Sequence, residues 1–261
     1  MGEAGSRLSA SGLVLGVAVV LTAHAAMGGS VAMFLQPEAL LVVLGGTTAA
    51  LLVSYPGGAL RESVRGVRDL MHRRTNPPET IVPALINCAR KARRYGLAAV
   101  ERDIEHARDP FLSRALSLLV AGLPLPVVRE TLDIEARVLA EQDEQRAQVF
   151  EAAAGYAPTL GIVGAVLGLM RVMQATGSEA MGPGIAAAFV ATIYGVGAAN
   201  LLLLPLATRL RARARHDALC RELVIDGVVA LRDGASPGVL EERLAGYLTL
   251  NRPASSWAEV A

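Results

Sequence analysis

Aromatic residues make up only 4% of this 261-residue chain, with a single Trp, and there are just two cysteines. Cys88 and Cys220 lie far apart in charged segments, which suits neither a disulfide framework nor a metal site, so both are expected as reduced thiols. Rossmann and P-loop glycine signatures are absent, as is any alternating strand pattern. No nucleophile, base and oxyanion constellation suggests an enzyme, and no cofactor is called for. Net charge is only +1, without a basic patch that would point to nucleic acid. The most telling absence is local: no Asp, Glu, Lys or Arg falls well inside any long apolar run. An ion pathway needs an ionisable or carbonyl-rich site at depth, so this chain by itself lacks the carboxylate.

What is present is oil. Hydrophobic residues reach 52% and mean hydropathy is +0.41, too high for an ordinary soluble domain. Four apolar runs, Ser11–Gly29, Phe34–Tyr55, Ala152–Gln174 and Gly184–Ala207, approach the roughly 20 residues that cross a bilayer. Short connections at Gln36-Pro37-Glu38 and at 176–183 join them in pairs. The expected fold is an all-α membrane protein with four transmembrane helices, a large helical cytoplasmic loop between the second and third, and a helical cytoplasmic tail. The division is 1–57 (spans 1 and 2), 58–151 (loop), 152–208 (spans 3 and 4) and 209–261 (tail). Of the 25 basic residues, 15 lie between Arg61 and Arg146 and 8 from Arg209 onward, leaving Arg7 and Arg171. Basic residues near spans stay on the cytoplasmic side, which places both large polar pieces and both termini there. "TAHAAM" at 22–27 has the small-x-small look of a signal-peptidase site. A lone preceding Arg and the length of the run favour a retained span.

Within the loop, breaks are expected at Pro77-Pro78, Asp109-Pro110 and Pro124-Leu125-Pro126. Arg90, Arg94, Glu101 and Glu105 recur at spacings of four and seven. An unbroken helix would align them on one stripe, either a solvated face or a docking surface, unless Gly96 interrupts it. In the third run, "APTLGIVGAVLGLM" at 157–170 carries Pro158, Thr159 and a face of Gly161, Gly164 and Gly168 with Ala165. Such a face lets another helix approach closely, and a membrane proline is tolerated when a neighbour takes up the freed carbonyl. At about 1.5 Å per residue, Pro158 and Pro205 lie near the inner rim, about 10 Å beyond Glu151 and about 6 Å short of Arg209. Ala165 and Thr192 fall deeper, about 21 and 26 Å from the inner charges. Thr159, Thr192, Tyr194 and Asn200 read most simply as interhelical hydrogen-bonding groups. His24, near the outer end of the first run, reads as a packed or interface histidine.

"YAPTLGIVGAVLGLM", "AAFVATIYGVGAANLLLLPLATRLR" and "RRYGLAAVERDIE" together resemble the MotA/TolQ/ExbB superfamily of ion-channel subunits, in its four-span flagellar-stator form. The resemblance runs from the first span to "SPGVLEERLAGYL" in the tail. It implies a homo-oligomeric ring, a pentamer, in the lipid of the bacterial inner membrane around a dimer of a MotB-like subunit. The partner's aspartate would carry the ion, which accounts for the missing carboxylate. The family's channel prolines match Pro158 and Pro205, and its charges facing the rotor protein FliG match Arg93 and Glu101, with Arg94 as helper. On an unbroken helix Arg93 would stand about 80° from Glu101, off the narrow stripe. Sodium-type members carry a hydroxyl at the position of Ala165 and threonines in the fourth span; here Ala165 and Ala191 are methyls and Thr192 keeps its hydroxyl. A desolvated cation needs replacement oxygens, so the transported ion is expected to be the proton. The competing reading is an energiser of envelope transport of the ExbB/TolQ type.

Overall fold

The computed structural model describes residues 3–72, 77–107, 109–174 and 181–250. Among these, regular structure is entirely helical. The helices are α1 (Glu3–Ala26), α2 (37–54), α3 (Gly57–His72), α4 (Pro78–Tyr95), α5 (Glu101–His106), α6 (Pro110–Val120), α7 (Leu125–Gln174), α8 (181–232) and α9 (Pro237–Leu250). Prolines punctuate the chain as their chemistry requires. Pro37, Pro78 and Pro110 each open a helix, where a missing N–H costs nothing. Asp109 caps α6 by accepting from the Leu112 amide at 2.9 Å.

Two units arise, one from residues 1–73 with 143–212 and one from 74–142 with 213–261. Helices α7 and α8 each contribute one part to both. The first unit is apolar outside as well as inside. Val53 is 89% exposed and Met173 87%, and Leu15, Ile162, Leu167 and Phe189 are also exposed. A water-soluble surface does not carry such a coat. Stretches within Val31–Ser54, Leu125–Gln174 and Gly184–Arg232 are long and apolar enough to cross a membrane. The first expected span lies in α1, whose described apolar part, Ser11–Ala26, is shorter than those three. The chain is a membrane protein.

Two π-helical turns interrupt this unit, Leu41–Gly45 in α2 and Ala198–Leu203 in α8. The second ends one residue short of Pro205, which has no N–H to donate and whose ring crowds the carbonyl four residues back, that of Leu201. A π turn widens the helix over those residues and so accommodates the proline without ending α8.

The second unit has a conventional core. Ile81, Val82, Leu85, Ile86, Cys88 and Ala89 line one face of α4 at helical spacing. They join Leu116 and Leu119 of α6, Val128 and Leu132 of α7, Leu223, Val224 and Val228 of α8 and Leu240 and Leu244 of α9. Gly227 lets α8 lie against α4: a Cβ there would stand 2.5 Å from a Leu85 methyl. Both cysteines are buried in this core. Burial pushes the Cys88 thiol up to about 11 and that of Cys220 to about 12, so both stay protonated and unreactive at neutral pH. Because Leu85 is fully buried, Leu85→Ala is expected to destabilise this unit by about 2–5 kcal/mol. Amide hydrogen exchange of the detergent-solubilised protein should show protection falling in α4 and α9 while the apolar unit is unchanged.

Candidate functional site

In the apolar unit, the C-terminal part of α7 and the N-terminal part of α8 meet along a seam of small residues. A Cβ on Gly161 would lie 2.9 Å from the Ala191 carbonyl oxygen and 3.2 Å from Thr192 Cα. One on Gly164 would lie 2.8 Å from the Ala191 methyl, and one on Gly168 2.8 Å from that of Ala188. The three glycines of the sequence face therefore share one partner helix, and main chain meets main chain. Ala191, 1% exposed, spends its methyl inside this seam. A fourth glycine, outside the face that the third run displays, completes the seam. Gly195 on α8 sits where a Cβ would be 2.4 Å from the Ala157 carbonyl oxygen and 3.1 Å from Pro158 Cα. The small-residue spacing Ala188, Ala191, Thr192 and Gly195 on the fourth run could have revealed it.

Pro158 is thus held, half-buried, inside an unbroken α7 with the backbone of Gly195 against it. Its ring leaves the Ala154 carbonyl without an amide from position 158. Thr192 and Ala165 are half-buried and Pro205 is exposed. The Thr159 hydroxyl donates to its own helix, to the Tyr156 carbonyl at 2.7 Å, while the Tyr156 hydroxyl is 3.0 Å from that of Ser54 on α2. Tyr194 ties α8 to the turn before α2: its hydroxyl donates to the Phe34 carbonyl and accepts from the Gln36 amide at 3.4 Å. His24 packs edge-on against Phe34, ring centroids 4.8 Å apart.

Beyond Pro158, charged side chains lace three helices together. Arg146 on α7 donates to Asp143 at 2.8 Å and to Glu62 of α3 at 3.1 Å. Arg211 on α8 reaches Glu144 at 2.9 Å and Glu151 at 2.7 Å, both on α7. Glu62 also pairs with Arg65. Hydrogen bonding from Arg65 and Arg146 holds the Glu62 carboxyl below the usual range, and that from Arg211 does the same for Glu151. The Arg211 guanidinium is correspondingly harder to deprotonate. The pairs between helices span 60 to 84 residues of sequence, so no local spacing announced them.

In the other unit, the stripe of charges does not form. α4 ends at Gly96, whose φ of +83° lies in the left-handed region that favours glycine. A 3-10 turn, Leu97–Val100, follows, and α5 begins anew at Glu101. Rotation angles counted along one helix therefore do not apply to Arg93, Arg94 and Glu101. Lys91 on α4 and Asp103 on α5 bond at 2.7 Å across the break and fold α5 back. Arg93, Arg94 and Glu101 remain exposed, without an ion pair among the described residues.

Comparison with known proteins decides what this arrangement belongs to. Residues 103–222 match the MotA/TolQ/ExbB proton channel family and residues 10–94 the motility protein A N-terminal domain. Chemotaxis protein PomA of Vibrio alginolyticus is 31% identical over 238 residues, 91% of this chain and 93% of its own. The chain belongs to the MotA/TolQ/ExbB proton channel family. Motility protein A of Bacillus subtilis is 30% identical over 244 residues, covering 93% and 90% of the two chains. The solved C. jejuni MotAB structure superposes with a TM-score of 0.87 at 25% identity, covering 94% of this chain and 96% of that one. For the flagellar MotAB stator complex of Bacillus subtilis the TM-score is 0.81 at 29% identity, with 95% and 97% covered. Within the family, the likeness is to flagellar stator subunits.

Two outcomes follow from the geometry. Gly195→Ala forces a methyl into backbone, an overpacking cost of about 1–3 kcal/mol, whereas Gly155→Ala, with open space around it, gains about 0.5–1 kcal/mol of helix stability. Thermal unfolding of the two variants in detergent should move in opposite directions. Glu151 titrates below its ordinary value of 4.5 when folded. Its pairing therefore stabilises above that pH and is lost as pH falls through the lowered value. An acid titration of stability should be shallower in Arg211→Gln than in the parent chain.

Proposed function

We propose that this chain is the ion-conducting subunit of a flagellar motor stator, in which proton flow is coupled to torque. The observation that carries this is the superposition on MotAB over 94% of the chain at a TM-score of 0.87. The motility protein A N-terminal match at residues 10–94 favours a stator over an ExbB/TolQ-type energiser. In this reading several copies, a pentamer, ring a dimer of a MotB-like subunit in the bacterial inner membrane, with the polar unit and both termini cytoplasmic.

The partner supplies the aspartate that this chain's apolar segments lack. Protonation removes a charge from a low-dielectric site, which is worth a large energy difference between the two states. The aspartate then prefers a different subunit of the ring, near Pro158 and Thr192, and the ring steps. Pro158, lacking one backbone hydrogen bond and lodged against Gly195, is the natural bending point of α7. Ala165 and the seam-bound Ala191 offer no side-chain oxygen to a dehydrated cation, which favours protons over sodium. Arg93, Arg94 and Glu101, exposed and without an ion pair among the described residues, act electrostatically on the rotor protein FliG. No step needs covalent chemistry.

Swimming speed of the host is the test. It should be independent of external sodium at fixed pH and collapse with a protonophore; sodium dependence would overturn the choice of ion. Pro158→Leu should assemble with its partner and yet give no rotation, and normal motility in that variant would remove the proline's role.

A further inference from the structure

Arg93 is not an isolated surface charge. It lines a half-open cavity of about 150 Å³ together with Arg232, at the end of α8, and the turn leading into α9. A space of this size takes up a benzene-sized group. Ala89, Ala92, Leu97 and Ala235 supply apolar wall, and no carboxylate lines it. Asp233, next in the chain to Arg232, is exposed and stands outside the lining. Both arginines occupy the last turn of a helix, where the dipole favours a cation. Neither has an ion pair among the described residues. Arg232 makes one long hydrogen bond, 3.4 Å to the Leu123 carbonyl, which leaves most of its five donors free. The turn is held by Gly234, φ +77°, with the Ala235 amide on the Ala230 carbonyl at 3.0 Å. At the neighbouring end of α4, Tyr95 stands 74% exposed, an amphipathic ring of the kind that anchors interfaces.

Two arginines without an ion pair among the described residues line a cavity with an apolar floor, a lining that fits one chemistry, a carboxylate on a short aliphatic stem. We propose that this cavity is the receiving pocket of the rotor-facing surface: it takes an Asp or Glu side chain from the rotor partner, the carboxylate between Arg93 and Arg232 and the stem against Ala92 and Leu97. Arg232 is then a specificity-determining residue that local sequence motifs did not mark, 139 positions from Arg93. The assignment rests on the stator reading above. It adds a second cation and an apolar floor to what a lone Arg93 would provide.

The test uses the full chain with its native partner subunit, fluorescently tagged, in a flagellated host lacking its own copy. Arg232→Glu should lower the number of units recruited to each motor about tenfold, the equivalent of about 1.4 kcal/mol, and Arg93→Glu should do the same. Arg232→Lys, which keeps the charge, should retain most recruitment. Ion flux in cells overproducing the complex should stay at the parental level in all three. Parental recruitment in Arg232→Glu overturns the pocket, even if Arg93→Glu fails to bind. Should Arg232→Glu lose flux as well, it has misfolded, and Ala92→Leu decides instead: it fills the cavity without altering charge and must lower recruitment, parental recruitment again overturning the pocket. Absence of flux from the parental complex would overturn the stator reading itself.

Discussion

Close approach of two backbones is the constraint on which the apolar unit depends. Where Gly161, Gly164 and Gly168 meet Ala188, Ala191, Thr192 and Gly195, a single added methyl would stand within about 3 Å of the opposing helix. In lipid the hydrophobic effect does not drive helices together, so packing at such distances and hydrogen bonds must do so. Tyr194 and the Tyr156–Ser54 contact supply the polar part, each joining a different pair of segments. The seam also explains why the helices tolerate weak helix formers. Glycine's usual cost is offset by contact that no larger side chain permits, and no competing water waits to solvate the backbone.

Proline acts differently at its two positions. Pro205 follows a π turn that absorbs its geometric demand, and it is exposed. Pro158 sits in regular α-helix with Gly195 pressed against the preceding peptide. One helix thus has its irregularity built in, while the other has a missing hydrogen bond next to a partner with no side chain to obstruct movement. In the proposed mechanism that asymmetry makes α7 the element that bends. Ion pairs of Arg146 and Arg211 bind α7 to α3 and α8 on the polar side of the proline, so motion would begin from an anchored base.

Much of this was legible before any coordinate. The breaks at Pro78, Pro110 and Leu125 follow from proline's missing donor and its effect on the preceding residue. The glycine face was visible because helical periodicity places positions 161, 164 and 168 together whatever they touch. Gly195 went unnoticed because its importance lies in what faces it, and a carbonyl on another helix leaves no local pattern. The charge stripe failed for the opposite reason. Regular spacing of Arg90, Arg94, Glu101 and Glu105 implies a shared face only on a continuous helix, and Gly96 leaves the helical region.

By itself the sequence determined the helical class, the apolar character of the long runs, the small-residue face and the absence of Asp, Glu, Lys and Arg from the depth of those runs, since each depends on composition or on a fixed period. Tertiary structure alone decided the partners, Ala191 under Gly164, Gly195 on Pro158, Arg146 with Glu62 and Arg211 with Glu151, and it set Arg93 and Arg232 around one cavity. Those contacts join residues that only the folded chain brings within a few ångströms. Their energies come from distance and burial, which local sequence does not encode.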